Sequence, residues 1–319
     1  MKVLVVGGTR FIGREVVREL EASGHDVTVV HRGETGQVPG GASEIRADRS
    51  TAYALEAMKR LAPDALVDMC AYVPGHTREL LDALPDVPRW VHCSTGAVYR
   101  PSADIPWAED HPVGPWLWGR YGQDKLECEL LLKSRRSERR TTVVVRPPYV
   151  LGPGNYVARE EFVFNRILDG QPVFIDGDGE APLSMIDVRD IGRLFCRAAT
   201  SALPDGRIPV NAATATQCSG REFVRLCSQV AEREVLTVSV ASTTTGETFD
   251  RDDHVFPFPD FPYVLSGDKA RELGLLGDPR PLSDTLESSL SWLMEHPERR
   301  SWHPGTKESR LREGRSFSE

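Results

Sequence analysis

The sequence predicts an α/β protein with a doubly wound parallel sheet and a smaller C-terminal α/β lobe. Short Val-rich segments alternate with amphipathic helical segments through the first half of the chain. The Val-rich segments are almost continuously apolar, which is typical of strands buried on both faces of a parallel sheet. The regular alternation ends near residue 150, where Gly and Pro cluster and smaller elements follow.

Each element has its own local signal. The predicted strands are short apolar segments bounded by Gly, Pro or polar turns: Lys2–Val6, Asp26–His31, Ala65–Cys70, Arg89–Ser94 and Thr141–Pro147. The predicted helices between them carry apolar residues three and four positions apart: Ile12–Ala22, Thr51–Leu61, Thr77–Leu84 and Tyr121–Arg135. Further along, a helix and a strand are predicted to return to the first sheet: Val188–Ala199 and Arg207–Asn211. The remaining predicted helices form the second lobe: Phe162–Leu168, Gly220–Glu232, Lys269–Leu273 and Leu282–Glu295.

The composition excludes several classes of protein. With 319 residues, of which 40% are hydrophobic and 27% charged, the chain can bury a sizeable core and is not disordered as a whole. Its net charge of −8 argues against a surface that coats nucleic acid. No apolar stretch approaches the roughly 20 residues that span a bilayer, and the first residues lack a signal-peptide pattern. We therefore expect a cytoplasmic protein without a membrane or nucleic-acid partner.

Cysteine and histidine spacing gives no sign of a metal site. The six cysteines contain no Cys-x-x-Cys pair, so we expect reduced, buried thiols. The eight histidines show no ligand spacing, and no metal is expected.

The first predicted strand runs directly into a glycine-rich turn, Gly7–Gly13, and a helix begins at once. Such a turn lets the backbone approach a pyrophosphate, while free N–H groups and the helix dipole stabilise its charge. A strand before, a helix after and a second strand further on supply the required context. The sequence therefore predicts a dinucleotide site formed by Gly7, Thr9, Arg10, Phe11, Ile12 and Gly13.

The end of the second predicted strand indicates which dinucleotide is preferred. An Asp or Glu there usually accepts hydrogen bonds from the ribose 2′-hydroxyl of NAD. This chain has His31-Arg32-Gly33 instead, and Arg32 offers a planar donor fork suited to a 2′-phosphate. Arg10 is expected to add a second cation on the same side. The prediction is NADP, with NAD open, because both arginines could equally be solvated surface groups.

Tyr121 and Lys125 are four residues apart at the start of a predicted helix, so both side chains project from one face. An ammonium stabilises a nearby phenolate, which lets a Tyr exchange a proton near neutrality. Such a pair also occurs on ordinary helices. Its significance here comes from Ser94-Thr95, which ends a predicted central strand at the carboxyl edge where open α/β sheets bind ligands.

Together these residues resemble the short-chain dehydrogenase/reductase superfamily, in its extended branch, the NAD-dependent epimerase/dehydratase-like family. The resemblance reaches to about Glu295 and is carried by the glycine loop and by Val91–Tyr99, Tyr121–Lys125, Val145–Gly152, Ile186–Ile191 and Val210–Ala212. It implies that Thr95, four residues before Tyr99, hydrogen-bonds the reacting oxygen. It also implies that Tyr121 transfers its proton and that Lys125 assists and holds the nicotinamide ribose.

The resemblance implies further cofactor contacts and a domain organisation. The implied contacts are Asp48 and Arg49 near the adenine, Cys70, Ala71 and Tyr72 beneath the cofactor, and Pro148 against the nicotinamide. Asp48 has a second interpretation, as a cap of the helix that begins at Thr51. We expect a dinucleotide-binding Rossmann domain from residues 1–153 and 187–212, and a substrate lobe from 154–186 and 213–296. Residues 297–319 are predicted to be a flexible tail.

Three departures from the family pattern reduce the number of reactions that fit this chain. Dehydratases of the family carry Asp-Glu after the catalytic Thr, whereas Gly96-Ala97 stand here, so 4,6-dehydration is not expected. Leu183 occupies the position of an Arg that binds nucleotide diphosphates. The Asn expected after the Arg-Pro strand is missing from Pro148-Tyr149.

The expected function is NADPH-linked carbonyl reduction, or the reverse alcohol oxidation, on a small-molecule or sugar-like substrate. The alternative is an NAD-dependent epimerase acting on sugars or nucleotide sugars. A third interpretation is a redox-silent NADP sensor or an RNA-binding protein, because one branch with this glycine loop has abandoned redox chemistry. Homodimers are common in the resembled family, so a homodimer is compatible with the sequence.

Two aromatic segments allow either a binding or a packing role. Pro106–Trp118, just before Tyr121, could form an apolar wall over the substrate or pack between the lobes. For Phe256–Pro262 we expect packing.

Overall fold

A parallel sheet lies at the centre of the fold in this computed structural model, which describes residues 1–114, 118–135, 137, 140–215, 217–241 and 255–313. The strands are β1 (Lys2–Val6), β2 (Asp26–His31), β3 (Ser43–Arg46), β4 (Ala65–Asp68), β5 (Arg89–Cys93), β6 (Thr141–Arg146), β7 (Tyr149–Leu151), β8 (Val173–Asp176), β9 (Pro182–Asp187), β10 (Arg207–Asn211), β11 (Gln217–Ser219) and β12 (Thr237–Val240). The helices are α1 (Phe11–Ala22), α2 (Ala52–Leu61), α3 (Pro74–Ala83), α4 (Gly119–Ser134), α5 (Glu160–Leu168), α6 (Val188–Thr200), α7 (Gly220–Val230), α8 (Asp268–Glu272), α9 (Leu282–Glu295) and α10 (Thr306–Glu313).

The central sheet has seven strands in the order β3-β2-β1-β4-β5-β6-β10, and every pairing is parallel. The chain moves outward from β1 to β3 and then returns to place β4 on the other side of β1. This reversal confirms the predicted doubly wound fold. It also opens a crevice at the carboxyl ends of β1 and β4, where such sheets bind ligands.

Successive side chains of β1 point to opposite faces of the sheet, and both faces are buried. Val3 and Val5 belong to the core formed with α1 and α6, whereas Leu4 and Val6 pack on the opposite face with α2 and α3. All four side chains are buried. At about 1.5–3 kcal/mol for each buried aliphatic side chain, this one strand contributes several kcal/mol of hydrophobic stabilisation.

The second lobe contains a three-stranded sheet, β11-β9-β7, and a two-stranded sheet, β12-β8. A separate apolar cluster joins these sheets to α5, α7 and α9 and includes Phe164, Phe174, Phe223 and Phe258. The small strands and β3 were not predicted. They have three to six residues, and β3 is mostly exposed and polar, so periodicity gave little signal there.

The end of the chain differs from the predicted flexible tail. Residues 297–299 form a 3₁₀ turn and residues 306–313 form α10. The carboxylate of Glu308 is buried in an ion pair with Arg166 of α5, and the indole of Trp302 donates to Asp169. The contact of Glu308 with Arg166 of α5 therefore holds in place the polar end of the chain, which would not fold alone. Residues 314–319 lie outside the described residues.

The helices and cysteines complete the description. No helix within the described ranges has both the length and the apolarity to cross a bilayer. The six cysteines are free thiols, and all except the partly exposed Cys70 are buried.

Candidate active site

The glycine loop joins β1 to α1 in a conformation that only glycines permit. Gly7 has φ +92°, and a Cβ added at Gly13 would lie 2.1 Å from the carbonyl oxygen of Gly7. A Cβ at Gly8 would collide with Val17 and Val29, so α1 can approach the sheet only at a glycine. The loop therefore brings its backbone close to the space above β1, as a pyrophosphate site requires.

The beginning of α1 suits an anion. Arg10 is the N-cap but makes no side-chain capping hydrogen bond, and the first turn contains no acidic residue. The N-terminal amides and the positive end of the helix dipole thus remain available to a phosphate. Thr9 is buried, and its hydroxyl lies 2.7 Å from the hydroxyl of Thr35, which fixes the loop to the segment after β2.

Tyr156, from the loop after β7, covers this turn. The guanidinium of Arg10 stacks 4.0 Å from its ring centroid, and Phe11 meets the same ring edge-on at 6.1 Å. Arg10 is therefore directed to the second lobe. Ile12 is partly buried and packs against the core under the sheet.

Basic and acidic side chains lie next to each other at the end of β2. Arg32 pairs with Glu34 at 2.7 Å, and both side chains are well exposed. His31 is buried; its Nδ1 accepts from the Gly33 amide, so its Nε2 donates to Glu44 at 2.8 Å. These contacts leave Arg32 at the surface, where it can exchange Glu34 for another anion.

Arg46 is a cation here that sequence reasoning missed. A Cβ added at Gly33 would lie 2.3 Å from Arg46 Nε, so the guanidinium lies directly against that glycine. Arg46 ends β3 and is paired in register with His31. No signal pointed to it, because β3 itself was not predicted.

A buried ion pair lies beneath the loop. Arg49 donates to both carboxylate oxygens of Asp68, at 2.7 and 3.0 Å, and also to Cys70 Sγ and to the carbonyl of His76. Burial opposes both charges, but Arg49 outweighs it and holds the pKa of Asp68 below its usual range. Arg49, predicted to contact adenine, therefore has its side chain engaged in this pair.

The other residues predicted to lie beneath the cofactor follow β4. Cys70 lies against the glycine loop, since a Cβ at Gly7 would be 3.1 Å from its sulfur, and burial raises the pKa of the Cys70 thiol. Ala71 is buried, and Tyr72 is half-exposed. Asp48 is exposed and accepts from the Ser50 amide in a turn. The N-cap of α2 is Thr51, which accepts from Ala54.

The predicted catalytic groups meet at the carboxyl end of β5. Lys125 is only 2% exposed, and its Nζ donates to the Cys93 carbonyl at 2.8 Å. Thr95 caps the 3₁₀ turn at 96–98 and accepts from the Ala97 amide. Tyr121, one turn before Lys125 on α4, is 43% exposed, and its hydroxyl has no hydrogen-bond partner among the described residues.

Charges around Lys125 couple it to Tyr121. Burial disfavours its ammonium, but interactions with Tyr121, Cys93 and Asp68 outweigh this and raise the pKa of Lys125. Lys125 is thus a permanent cation beside the Tyr121 phenol. Its Nζ lies 5.1 Å from the ring centroid of Tyr72, so that ring covers the ammonium.

A second buried network fixes α4 to the sheet. Glu129, one turn after Lys125, accepts from Ser94, from Arg146 through both of its oxygens, and from Arg207. Burial opposes its ionisation, yet Arg146 and Ser94 hold the pKa of Glu129 below its usual range. The i, i+4 spacing from Lys125 was a signal for this residue that the sequence analysis did not use.

Pro148 and the two aromatic segments are the remaining parts of the chain with a predicted role at the site. Pro148 is buried between β6 and β7, and the preceding carbonyl, of Pro147, accepts from the Gly96 amide at 2.8 Å. Trp107 is fully buried, as are Phe256 and Phe258, so these side chains pack in the lobe. Residues 115–117 of the Trp-rich segment lie outside the described residues.

Comparison with known proteins identifies the family. The model of the NAD dependent epimerase/dehydratase family matches residues 3–85 and 75–212. The chain belongs to this family. The resemblance inferred from the sequence is confirmed, and the family is one of NAD-dependent epimerases and dehydratases.

The names of individual relatives describe different functions. The chloroplast stem-loop binding protein of 41 kDa b from Arabidopsis thaliana is 30% identical over 209 residues, which cover 61% of this chain and 54% of the plant protein. The 2′-dehydrokanamycin reductase of Streptomyces kanamyceticus is 28% identical over 202 residues, covering 60% of this chain and 56% of the reductase. The chain thus matches little more than half of either relative.

Solved structures agree in fold. The UDP-glucose 4-epimerase of Thermotoga maritima, solved with UDP-glucose, has a TM-score of 0.76 at 22% identity and covers 92% of this chain and 99% of its own. This similarity supports the two-lobed arrangement around the crevice.

Proposed function

We propose that the protein is an NADP-linked oxidoreductase that interconverts a carbonyl and an alcohol on a sugar-like substrate. The observation that carries the proposal is the geometry of α4, where Tyr121 is exposed to the crevice and Lys125 is buried one turn away. The phenol of Tyr121 is thus placed to donate its hydroxyl hydrogen to a bound oxygen, with the ammonium of Lys125 one turn away. The glycine loop and the uncapped start of α1 fit a dinucleotide pyrophosphate.

Each group has a defined task in this mechanism. The glycine loop and the start of α1 would hold a nicotinamide dinucleotide, which would supply the hydride chemistry for the carbonyl carbon. Tyr121 gives its hydroxyl proton to the carbonyl oxygen, and Thr95 hydrogen-bonds that oxygen. Lys125 stabilises the phenolate that remains, and solvent returns the proton through the exposed side of Tyr121. The reverse sequence oxidises the alcohol.

The environment of Leu183 favours a substrate without a nucleotide diphosphate. Leu183 is buried in β9, opposite Cys218 of β11, so no cation stands at that position. A missing charge-assisted contact weakens binding of a diphosphate by about 1.5–3 kcal/mol. The similarity to a 2′-dehydrokanamycin reductase supports a substrate of the same kind.

Two cations support NADP over NAD. Arg32 directly precedes Gly33 at the end of β2, the Arg46 guanidinium lies against that glycine, and β2 ends without the usual acid. A 2′-phosphate is a better partner for Arg32 than the single carboxylate of Glu34, because it offers more oxygens and more charge.

The test is reduction of a panel of ketones with NADPH. The panel contains an oxidised aminoglycoside, a nucleotide-linked 4-keto-sugar and simple ring ketones. We expect NADPH consumption, and a loss of about 100-fold or more in kcat with Tyr121→Phe. Tyr53→Phe, an exposed Tyr on α2, is the matched control. Turnover that survives Tyr121→Phe contradicts the mechanism.

The family match also keeps epimerisation as a second candidate. An epimerase oxidises and re-reduces one carbon with a retained cofactor, so it consumes no added NADPH. Purified protein with one bound dinucleotide per chain, and no NADPH consumption with any ketone, favours the epimerase.

A further inference from the structure

The hydroxyl of Tyr263 occupies the space beside the Thr95 backbone. A Cβ added at Gly96 would lie 2.1 Å from this hydroxyl and 3.1 Å from Cζ of the same ring. Gly96 directly follows Thr95, and in family members that eliminate water an acid stands at its position. The missing side chain at residue 96 thus makes room for a phenol that comes from a distant part of the chain.

The backbone of Tyr263 is held firmly against β9. Its amide donates to the Pro182 carbonyl at 2.9 Å, and its carbonyl accepts from the Ser184 amide at 2.8 Å. Its ring lies within an aromatic cage of Trp107, Trp118 and Tyr149, with centroid distances of 5.6, 5.0 and 5.1 Å. The side chain is 3% exposed, so the direction of its hydroxyl is fixed by packing.

This hydroxyl makes no hydrogen bond to the residues that the structure describes, although only 3% of the Tyr263 surface is exposed. Burial and the nearby phenols of Tyr149 and Tyr121 raise the pKa of Tyr263, which keeps it protonated. It is a preorganised donor near Tyr121 and Thr95 that lacks an acceptor.

We propose that the Tyr263 hydroxyl binds a second oxygen of the substrate, on a carbon adjacent to the reacting carbonyl. Thr95 and Tyr121 hold the reacting oxygen, and Tyr263 stands beside them at Gly96. The site then selects an α-hydroxyketone, or the corresponding vicinal diol in the oxidative direction. This inference rests on the proposed oxidoreductase function and adds a specificity-determining residue to it.

The experiment compares two ring ketones that differ only in the adjacent hydroxyl, 2-hydroxycyclohexanone and cyclohexanone, with NADPH and the full chain. We expect the unaltered chain to prefer the hydroxyketone. Tyr263→Phe should lower kcat/KM for the hydroxyketone about tenfold and leave that for cyclohexanone within about twofold.

Tyr53→Phe is the control for a remote Tyr, and the preference of the unaltered chain between the two ketones carries the test if Tyr263→Phe does not fold. Equal losses on both ketones, or no preference in the unaltered chain, overturn the role of Tyr263 while leaving the oxidoreductase intact. A chain that reduces other ketones but not 2-hydroxycyclohexanone also overturns it. No reduction of any ketone contradicts the proposed function itself.

Discussion

Arg49 donates through two nitrogens to the two carboxylate oxygens of Asp68, beneath the loop that faces the dinucleotide site. The two groups are 19 positions apart in the sequence but meet in the interior, where Asp68 is fully buried and Arg49 is 8% exposed. Removing one partner of such a pair destabilises the protein much more than the net stabilisation by the intact pair suggests. The reason is that the other charge stays buried without a counter-charge.

We therefore expect Asp68→Asn to lower the free energy of unfolding by about 3–5 kcal/mol. Arg49→Met combined with Asp68→Asn should lose less than the sum of the single variants, as a double-mutant cycle in urea would measure. The control is Arg60→Met, which removes an exposed pair with Glu56 and should cost under about 0.5 kcal/mol. Additive losses at residues 49 and 68 would contradict the coupling.

Gly13→Ala should abolish dinucleotide binding or unfold the loop. Its Cβ would be placed 2.1 Å from the Gly7 carbonyl oxygen, and backbone cannot yield as a flexible side chain can. Gly75, in the first turn of α3, has open space around the equivalent position. Gly75→Ala should be neutral or stabilise by up to about 1 kcal/mol. Thermal unfolding and NADP⁺ titration distinguish the two, and equal effects would argue against a tight loop.

Dinucleotide choice can be tested at Arg32 and Glu34. Arg32→Ala should raise the Kd for NADP⁺ about tenfold and leave that for NAD⁺ nearly unchanged, since only NADP⁺ carries the 2′-phosphate. Glu34→Gln should tighten NADP⁺ binding about twofold or more, because it releases Arg32 from its present partner. Calorimetric titration at low salt measures both. The 2′-phosphate interpretation fails if Arg32→Ala weakens both dinucleotides equally.

Glu160 gives stability a pH dependence. The carboxyl accepts from the Gly152 amide and from Asn155, but burial raises the pKa of Glu160 to about 7. Between about pH 4.5 and 7 the unfolded chain ionises this group while the folded chain keeps it protonated. The contribution of Glu160 to stability is therefore greatest below pH 4.5 and declines as the pH rises to about 7.

Glu160→Gln removes this dependence. The free energy of unfolding of the variant relative to the unaltered chain should rise by about 1–3 kcal/mol between pH 5 and 8 in urea titrations. Glu287→Gln, an exposed position on α9, is the control and should give a constant difference. A constant difference for Glu160→Gln would show that its carboxyl ionises normally in the folded chain.

The docking of α10 predicts a structural role for the end of the chain. Glu308 is buried against Arg166, whose guanidinium also stacks between Phe162 and Trp302. Glu308→Gln should destabilise the protein by about 3 kcal/mol, since it leaves a buried guanidinium without its counter-charge. Glu298→Gln, on the exposed 3₁₀ turn, should have little effect on the melting temperature. Equal melting temperatures for both variants would mean that α10 is only loosely attached.

Local sequence signals predicted the central sheet and the catalytic helix. Valine runs define β1 and β6, and the Tyr121–Lys125 spacing places both side chains on one face of α4. Contacts between distant segments were not predictable in this way. Arg49 and Tyr263 each depend on a partner brought by the fold, and neither carries a periodic or spacing signal. Sequence alone thus predicted Thr95, Tyr121 and Lys125 as the reacting groups, but not the side chains that surround them.

The carboxylate of Glu129 connects α4 to β5, β6 and β10 through Ser94, Arg146 and Arg207. Laboratory evolution that seeks altered turnover can therefore act on the helix that carries Tyr121 through residues outside the crevice. A substitution at Arg207, on the strand at the rim of the sheet, changes how α4 is anchored, and screening libraries for this protein should include it.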